Sequence, residues 1–212
     1  MPASTLTAAL ALRWIEGCAV VLDEKKTYLT ELDSAIGDGD HGVNMARGFQ
    51  AVKAKLPAVS ANDIGALFKL VAMTLISTTG GASGPLYGTF FLKAAGPIAG
   101  KAELTPAELG AAFQAGLAGV VALGKAAVGD KTMVDALTPS LAALASSASG
   151  EPLSAALARA VEAARKGAES TVPLVARKGR ASYLGERSAG HLDPGAASSL
   201  LLFETLAKAV GD

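Results

Sequence analysis

Asp63-Ile64-Gly65-Ala66-Leu67-Phe68-Lys69-Leu70-Val71-Ala72-Met73-Thr74-Leu75 is the stretch whose pattern decides the fold class. Ile64, Leu67, Phe68, Val71 and Leu75 recur at three- and four-residue steps, which places apolar side chains on one face of a helix of about 3.6 residues per turn. Asp63, just ahead of the first apolar position, is a residue type that caps helix N-termini. The same pattern recurs on either side. Downstream, Thr105-Pro106-Ala107-Glu108 supplies an N-cap, a first-turn proline and a capping-box glutamate, followed by Leu109, Phe113, Leu117, Val120 and Val121. Upstream, from Ser4, the residues Leu6, Leu10, Trp14, Cys18 and Leu22 fall every four residues. Further helices are predicted over 25–32, 43–55, from Pro85 at a first helical position to about 95, over 133–147 with a kink at Pro139, from Pro152 onward, and over 196–210. Period-two alternation is essentially missing. The fold predicted is therefore all-α, an antiparallel up-and-down bundle or barrel of about eight helices.

The 212 residues fit a single domain, 1–212, large enough to bury a core. Nineteen basic residues balance nineteen acidic ones, so nothing in the charge favours a nucleic-acid partner. One cysteine, Cys18, rules out an internal disulfide and a cysteine-based zinc site, and is expected in the core. Hydrophobic residues make up 50%, which raises the question of a membrane span. The most apolar window, 109–123, carries Gln114 and is shorter than the ~20 residues of a spanning helix, so none is expected. Met1 to Leu12 has no charge and hence no basic-then-apolar signal, and a cytoplasmic location is expected.

The chemistry concentrates in Leu32-Asp33-Ser34-Ala35-Ile36-Gly37-Asp38-Gly39-Asp40-His41-Gly42-Val43-Asn44-Met45. Two carboxylates ~4 Å apart repel by roughly 4 kcal/mol at an effective dielectric near 20, so Asp33, Asp38 and Asp40 in one loop call for a cation. Carboxylate oxygens without thiolates suit Mg²⁺, which commonly shares its shell with phosphate. Gly37, Gly39 and Gly42 are expected to let the backbone turn left-handed around it. An EF-hand is excluded, since counting from Asp38 puts Val43 where that loop needs glycine. Gly80-Gly81-Ala82-Ser83-Gly84-Pro85 reads as a small-residue helix start whose free N–H groups suit an anion. Gly124 to Thr132 imitates a Walker loop but has Asp130 where the lysine belongs. Arg177, Lys178 and Arg180 lie in a segment without clear periodicity, a loop suited to closing on phosphate. Together these features describe a nucleotide-using phosphotransfer protein with Mg²⁺ on its aspartates. No base or nucleophile completes it, which places the acceptor chemistry on another chain.

Three separated motifs, Gly37-Asp38-Gly39-Asp40-His41-Gly42-Val43-Asn44-Met45, Gly80-Gly81-Ala82-Ser83-Gly84-Pro85-Leu86-Tyr87-Gly88-Thr89, and Gly179-Arg180-Ala181-Ser182-Tyr183-Leu184-Gly185-Glu186-Arg187 with Asp193-Pro194-Gly195, occur in the order found in one family. The chain resembles the nucleotide-binding L subunits of bacterial dihydroxyacetone kinases over nearly its whole length. That resemblance implies an eight-helix barrel with ADP and two Mg²⁺ at one end, the metals on Asp33, Asp38 and Asp40. It implies nucleotide contacts from His41, Asn44, Ala82, Ser83, Gly124, Met133, Arg180, Asp193 and Gly195. It also implies tightly bound ADP recharged to ATP by a phosphohistidine of an M subunit, with the γ-phosphoryl passing to dihydroxyacetone on a K subunit. A separate chain of this length, with Leu184-Gly185-Glu186-Arg187 in its late loop, looks more like this phosphotransferase-system form than the fused kinases. The family also includes ATP-dependent kinases of ketoses such as erythrulose, and L subunits suggested to dock on a transcription activator. A homodimer is compatible with the sequence.

Overall fold

Short polar side chains set most of the helix starts. The computed structural model describes residues 3–58, 62–147 and 150–211. Among these it has nine α-helices: α1 (Ala8–Glu24), α2 (Lys26–Ile36), α3 (His41–Lys55), α4 (Ile64–Thr78), α5 (Ser83–Ala95), α6 (Pro106–Gly124), α7 (Met133–Ala145), α8 (Leu153–Glu169) and α9 (Pro194–Gly211). Asp63 caps α4 through its carboxylate, which accepts from the Ala66 N–H at 2.9 Å. Thr105 and Glu108 form the expected capping box of α6. A second box, Thr132 with Asp135, opens α7.

Eight of the helices close a ring. Each of α3 through α9 packs on the next in order, and α1 packs on both α3 and α9. α2 lies against α3 and α9 outside that order. Connections that are short everywhere except between α8 and α9 make consecutive helices run alternately up and down. Aromatic side chains fill the ring: Trp14 sits 5.8 Å, centroid to centroid, from each of Phe68, Phe91 and Phe113, and its Nε1–H donates to the Leu202 carbonyl at 2.9 Å. Cys18 is a buried core residue, as expected, and burial pushes its thiol pKa up.

Four expectations change. Leu6 and Thr7 do not continue α1; they form strand β1, paired antiparallel with β2 (Glu103–Leu104), and Thr7 caps α1. α2 runs on to Ile36, so Asp33 stands on its last turn rather than in a loop. Pro85 is the third residue of α5, which begins at Ser83. The length argument against a membrane span also fails: α6 has 19 residues and is long and apolar enough to cross one by length and composition. Its Leu109, Phe113, Leu117 and Val120 are buried, and the helix packs between α5 and α7 within the ring. α7 runs through Pro139 from Met133 to Ala145.

Candidate functional site

Alternation of the ring brings four helix starts to one end. A cleft of about 190 Å³ there is lined by Asp40 and His41 at the start of α3, Ala82 and Ser83 at α5, Thr132 and Met133 at α7, and Asp193, Pro194 and Gly195 at α9. Each helix start carries about half a positive charge, and side chains cap three of the four: Asp33 at α3, Thr132 and Asp135 at α7, and Asp193 at α9. Ala82 offers α5 no side-chain cap, so the first N–H groups of that helix are left to whatever enters the cleft. The end of the ring is therefore built for an anion.

The three carboxylates meet at the same place. One oxygen each from Asp33, Asp38 and Asp40 lie within 4.8 Å of one another, with Asp33 buried, Asp40 half-buried and Asp38 exposed. Asp33 reaches the cluster from the last turn of α2, and its Oδ2 accepts from the backbone N–H of Asp40 at 2.9 Å and of His41 at 3.1 Å. That carboxylate thus caps α3 across the loop. Only Gly39 of the three loop glycines is left-handed, at φ 72°. Gly42 serves a close approach instead, since a Cβ there would lie 2.0 Å from the Lys26 carbonyl oxygen of α2. The hard, all-oxygen donor set fits Mg²⁺. Arg180 closes the site from the segment 180–188, two runs of 3₁₀ turn broken at Gly185, where the sequence showed no period. Its Nε donates to Asp38 Oδ2 at 3.0 Å.

Of the nucleotide contacts implied by the resemblance, His41, Ala82, Ser83, Met133, Arg180, Asp193 and Gly195 line this cleft. Gly124 lines an adjoining, mostly apolar cavity of about 310 Å³ with Leu86, Val120, Leu123 and Met133. Asn44 lines neither. It stands one turn inside α3, where its Oδ1 accepts from Arg47 at 2.7 Å and backs the Gly80 turn.

One group that shapes the site, Lys131, carried no sequence signal. Lys131, with φ 62°, is almost fully buried, and its ammonium donates to the carbonyls of Thr171, at 2.6 Å, and His191. It ties the start of α7 to the segment before α9. Burial lowers its pKa, opposed by Asp193 and Asp135. Asp193 caps α9 through the Ala196 N–H at 2.7 Å, and burial pushes its pKa up to about 7. His41 is also held below its usual value by burial, against the pull of Asp33 and Asp40. Tyr87, raised to about 12 by burial, stands behind His41.

A DAK2 domain model matches residues 35–208. The chain belongs to the DAK2 family. This DAK2 chain is 47% identical over 206 residues to the ADP-binding subunit DhaL of the PEP-dependent dihydroxyacetone kinase of Escherichia coli (strain K12), covering 97% of one chain and 98% of the other. It is 43% identical over 206 residues to the ADP-binding subunit DhaL of the PTS-dependent dihydroxyacetone kinase of Lactococcus lactis, covering 97% and 99%. Among solved structures, it resembles the dihydroxyacetone kinase of C. freundii in complex with AMP-PNP and Mg²⁺. The TM-score is 0.72 at 31% identity, over 98% of this DAK2 chain but 34% of that one. The DAK2 fold here is thus about a third of that longer kinase.

Proposed function

We propose that this chain is the nucleotide-carrying subunit of a dihydroxyacetone kinase. In this reading ADP stays tightly bound with two Mg²⁺, is recharged by a phosphohistidine of an M subunit, and the γ-phosphoryl passes to dihydroxyacetone on a K subunit. The observation that carries the reading is the meeting of four helix starts and three carboxylates on one cleft, an arrangement suited to phosphates and their metal together. The DhaL names of the similar bacterial chains and the nucleotide in the C. freundii kinase support it.

Asp33, Asp38 and Asp40 would hold the Mg²⁺. When bound, the metal supplies charge neutralisation to phosphate oxygens. The chain's own groups do the rest. The N–H groups opening α5, with the Ser83 hydroxyl, donate to a terminal phosphate. The apolar cavity beside Gly124, Leu86 and Met133 takes the base. Arg180 sits 3.0 Å from Asp38 at the rim, where it adds positive charge beside the transferred group. Among the described residues no group is placed as a nucleophile or base for a ketose, which fits an acceptor activated on a partner.

The test is reconstitution with K and M subunits, phosphoenolpyruvate and the general phosphotransferase components. Ketose phosphate formed from catalytic ADP is expected. Product that appears only with excess ATP and no M subunit would instead make the chain part of an ATP-dependent ketose kinase. Binding to a transcription regulator without any phosphotransfer would make it a regulatory module.

A further inference from the structure

Behind the cleft wall a line of hydrogen bonds runs from Ser199 to Ser83. The Tyr87 hydroxyl lies 2.9 Å from Ser199 Oγ and 2.6 Å from Ser198 Oγ. Ser198 Oγ is 2.8 Å from His41 Nε2, and His41 Nδ1 is 3.0 Å from Ser83 Oγ. Ser199, Tyr87, Ser198 and His41 are buried, whereas Ser83 faces the cleft. Tyr87 and Ser198 each also reach the Gly195 carbonyl at 3.1 Å, an oxygen in the first turn of α9 that has its own helical partner.

Each hydroxyl has one proton and a neutral imidazole has one, and the Pro194 carbonyl also lies against the imidazole; along the line itself two arrangements satisfy these groups. In the outward arrangement Ser199 donates to Tyr87, Tyr87 to Ser198 and Ser198 to Nε2. Nδ1–H then donates to Ser83 Oγ, and the Ser83 proton is free to point into the cleft. In the inward arrangement Ser83 donates to Nδ1, Nε2–H donates to Ser198, and Ser198 turns its proton to the Gly195 carbonyl. Ser83 then shows the cleft only lone pairs. A phosphate oxygen accepts hydrogen bonds and has none to give, so it is compatible with the outward arrangement alone.

We infer that Tyr87 and Ser198 are positioning residues that act through His41, and that a phosphate at the start of α5 selects the Nδ1–H tautomer of His41 by drawing the Ser83 proton outward. The inference rests on the phosphate reading of the cleft. It deepens that reading by assigning a direction to every bond in the line. On the phosphate reading Ser83 faces the phosphate end of the nucleotide, so the network should affect phosphate binding selectively.

Long-range ¹H–¹⁵N correlation of ¹⁵N-histidine-labelled protein reads the tautomer directly, because the chain has only two histidines and the other, His191, is exposed. With Mg²⁺ and ADP added, His41 should carry its proton on Nδ1, and a loaded protein with the proton on Nε2 overturns the proposal. Tyr87→Phe keeps the ring and deletes the hydroxyl. It should weaken ADP binding about tenfold, the effect of one buried hydrogen bond, while adenosine affinity stays unchanged. Equal weakening of both ligands, or of neither, contradicts a positioning role. Ser198→Ala should do the same, with the double variant no worse than the single. Should a variant fail to fold, the wild-type tautomer decides. ADP that does not bind the wild-type protein at all would reject the nucleotide reading itself, an outcome distinct from bound ADP with the other tautomer.

Discussion

Asp33 serves two neighbours at once. Its carboxylate caps α3 through two backbone N–H groups and also faces Asp38 and Asp40. Asp33→Ala should therefore lose Mg–ADP and also about 1–2 kcal/mol of stability, seen in urea unfolding of metal-free protein. Asp38→Asn and Asp40→Asn should lose the thermal stabilisation given by Mg–ADP while changing the metal-free unfolding free energy by only about 0.5 kcal/mol, as partly exposed changes do. Nucleotide retained at wild-type level in all three would contradict the site. Asp193 gives a pH signature. Its pKa is about 7 folded against 3.8 unfolded, so across that interval the folded protein binds more protons and stability falls as pH rises, levelling off above about 7. At 1.36 kcal/mol per unit the loss is at most about 4 kcal/mol. Asp193→Asn, which can still cap α9, should flatten that slope in urea midpoints measured from pH 4 to 8, and an unchanged slope would reject the assignment. The carboxylate chemistry was legible in sequence because like charges in close order need a cation. Asp193 was reached only through the resemblance, its burial unannounced, and Lys131 was not legible at all, since only burial distinguishes it from a surface residue.

Helix starts were legible where a cap and an apolar stripe coincide, as at Asp63 and Thr105. Starts shaped by tertiary contact were not. α3 is capped by a residue of α2, and α5 begins two residues before its proline. The β1–β2 pair is two residues long on each strand, too short to leave an alternating pattern. The reach of α2 to Ile36 was hidden by the polar Asp33 and Ser34, whose type favours turns in isolation. Helix contact imposes its own requirement at Gly167 of α8, where a Cβ would fall 2.2 Å from the Asp135 carbonyl oxygen of α7. Gly167→Ala should cost about 1–3 kcal/mol by overpacking, and a calorimetric midpoint lower by several degrees checks it. An unchanged midpoint would mean that α7 and α8 have slack at that crossing. Because Asp135 also belongs to the capping box that starts α7, the same variant should weaken ADP binding.

At the scale of the molecule, the ring converts chain order into a site. α3, α5, α7 and α9 alternate with helices of opposite direction, so their N-termini share one end, and α2 delivers Asp33 to that end from outside the ring order. An up-and-down bundle was legible from periodicity, but the closing contact of α1 with α9 was not. It joins residues about two hundred positions apart, and no local pattern encodes such a pairing. The same closure sets Ser198 of α9 beside His41 of α3, which is why the line from Tyr87 to Ser83 has no sequence signature. The central claim is that this end of the ring holds ADP as a resident group. The most direct test is to purify the protein without added nucleotide, dialyse it, denature it, and identify and quantify what is released. Stoichiometric ADP is expected. No released nucleotide, together with no binding of ADP in the presence of Mg²⁺, would contradict the account.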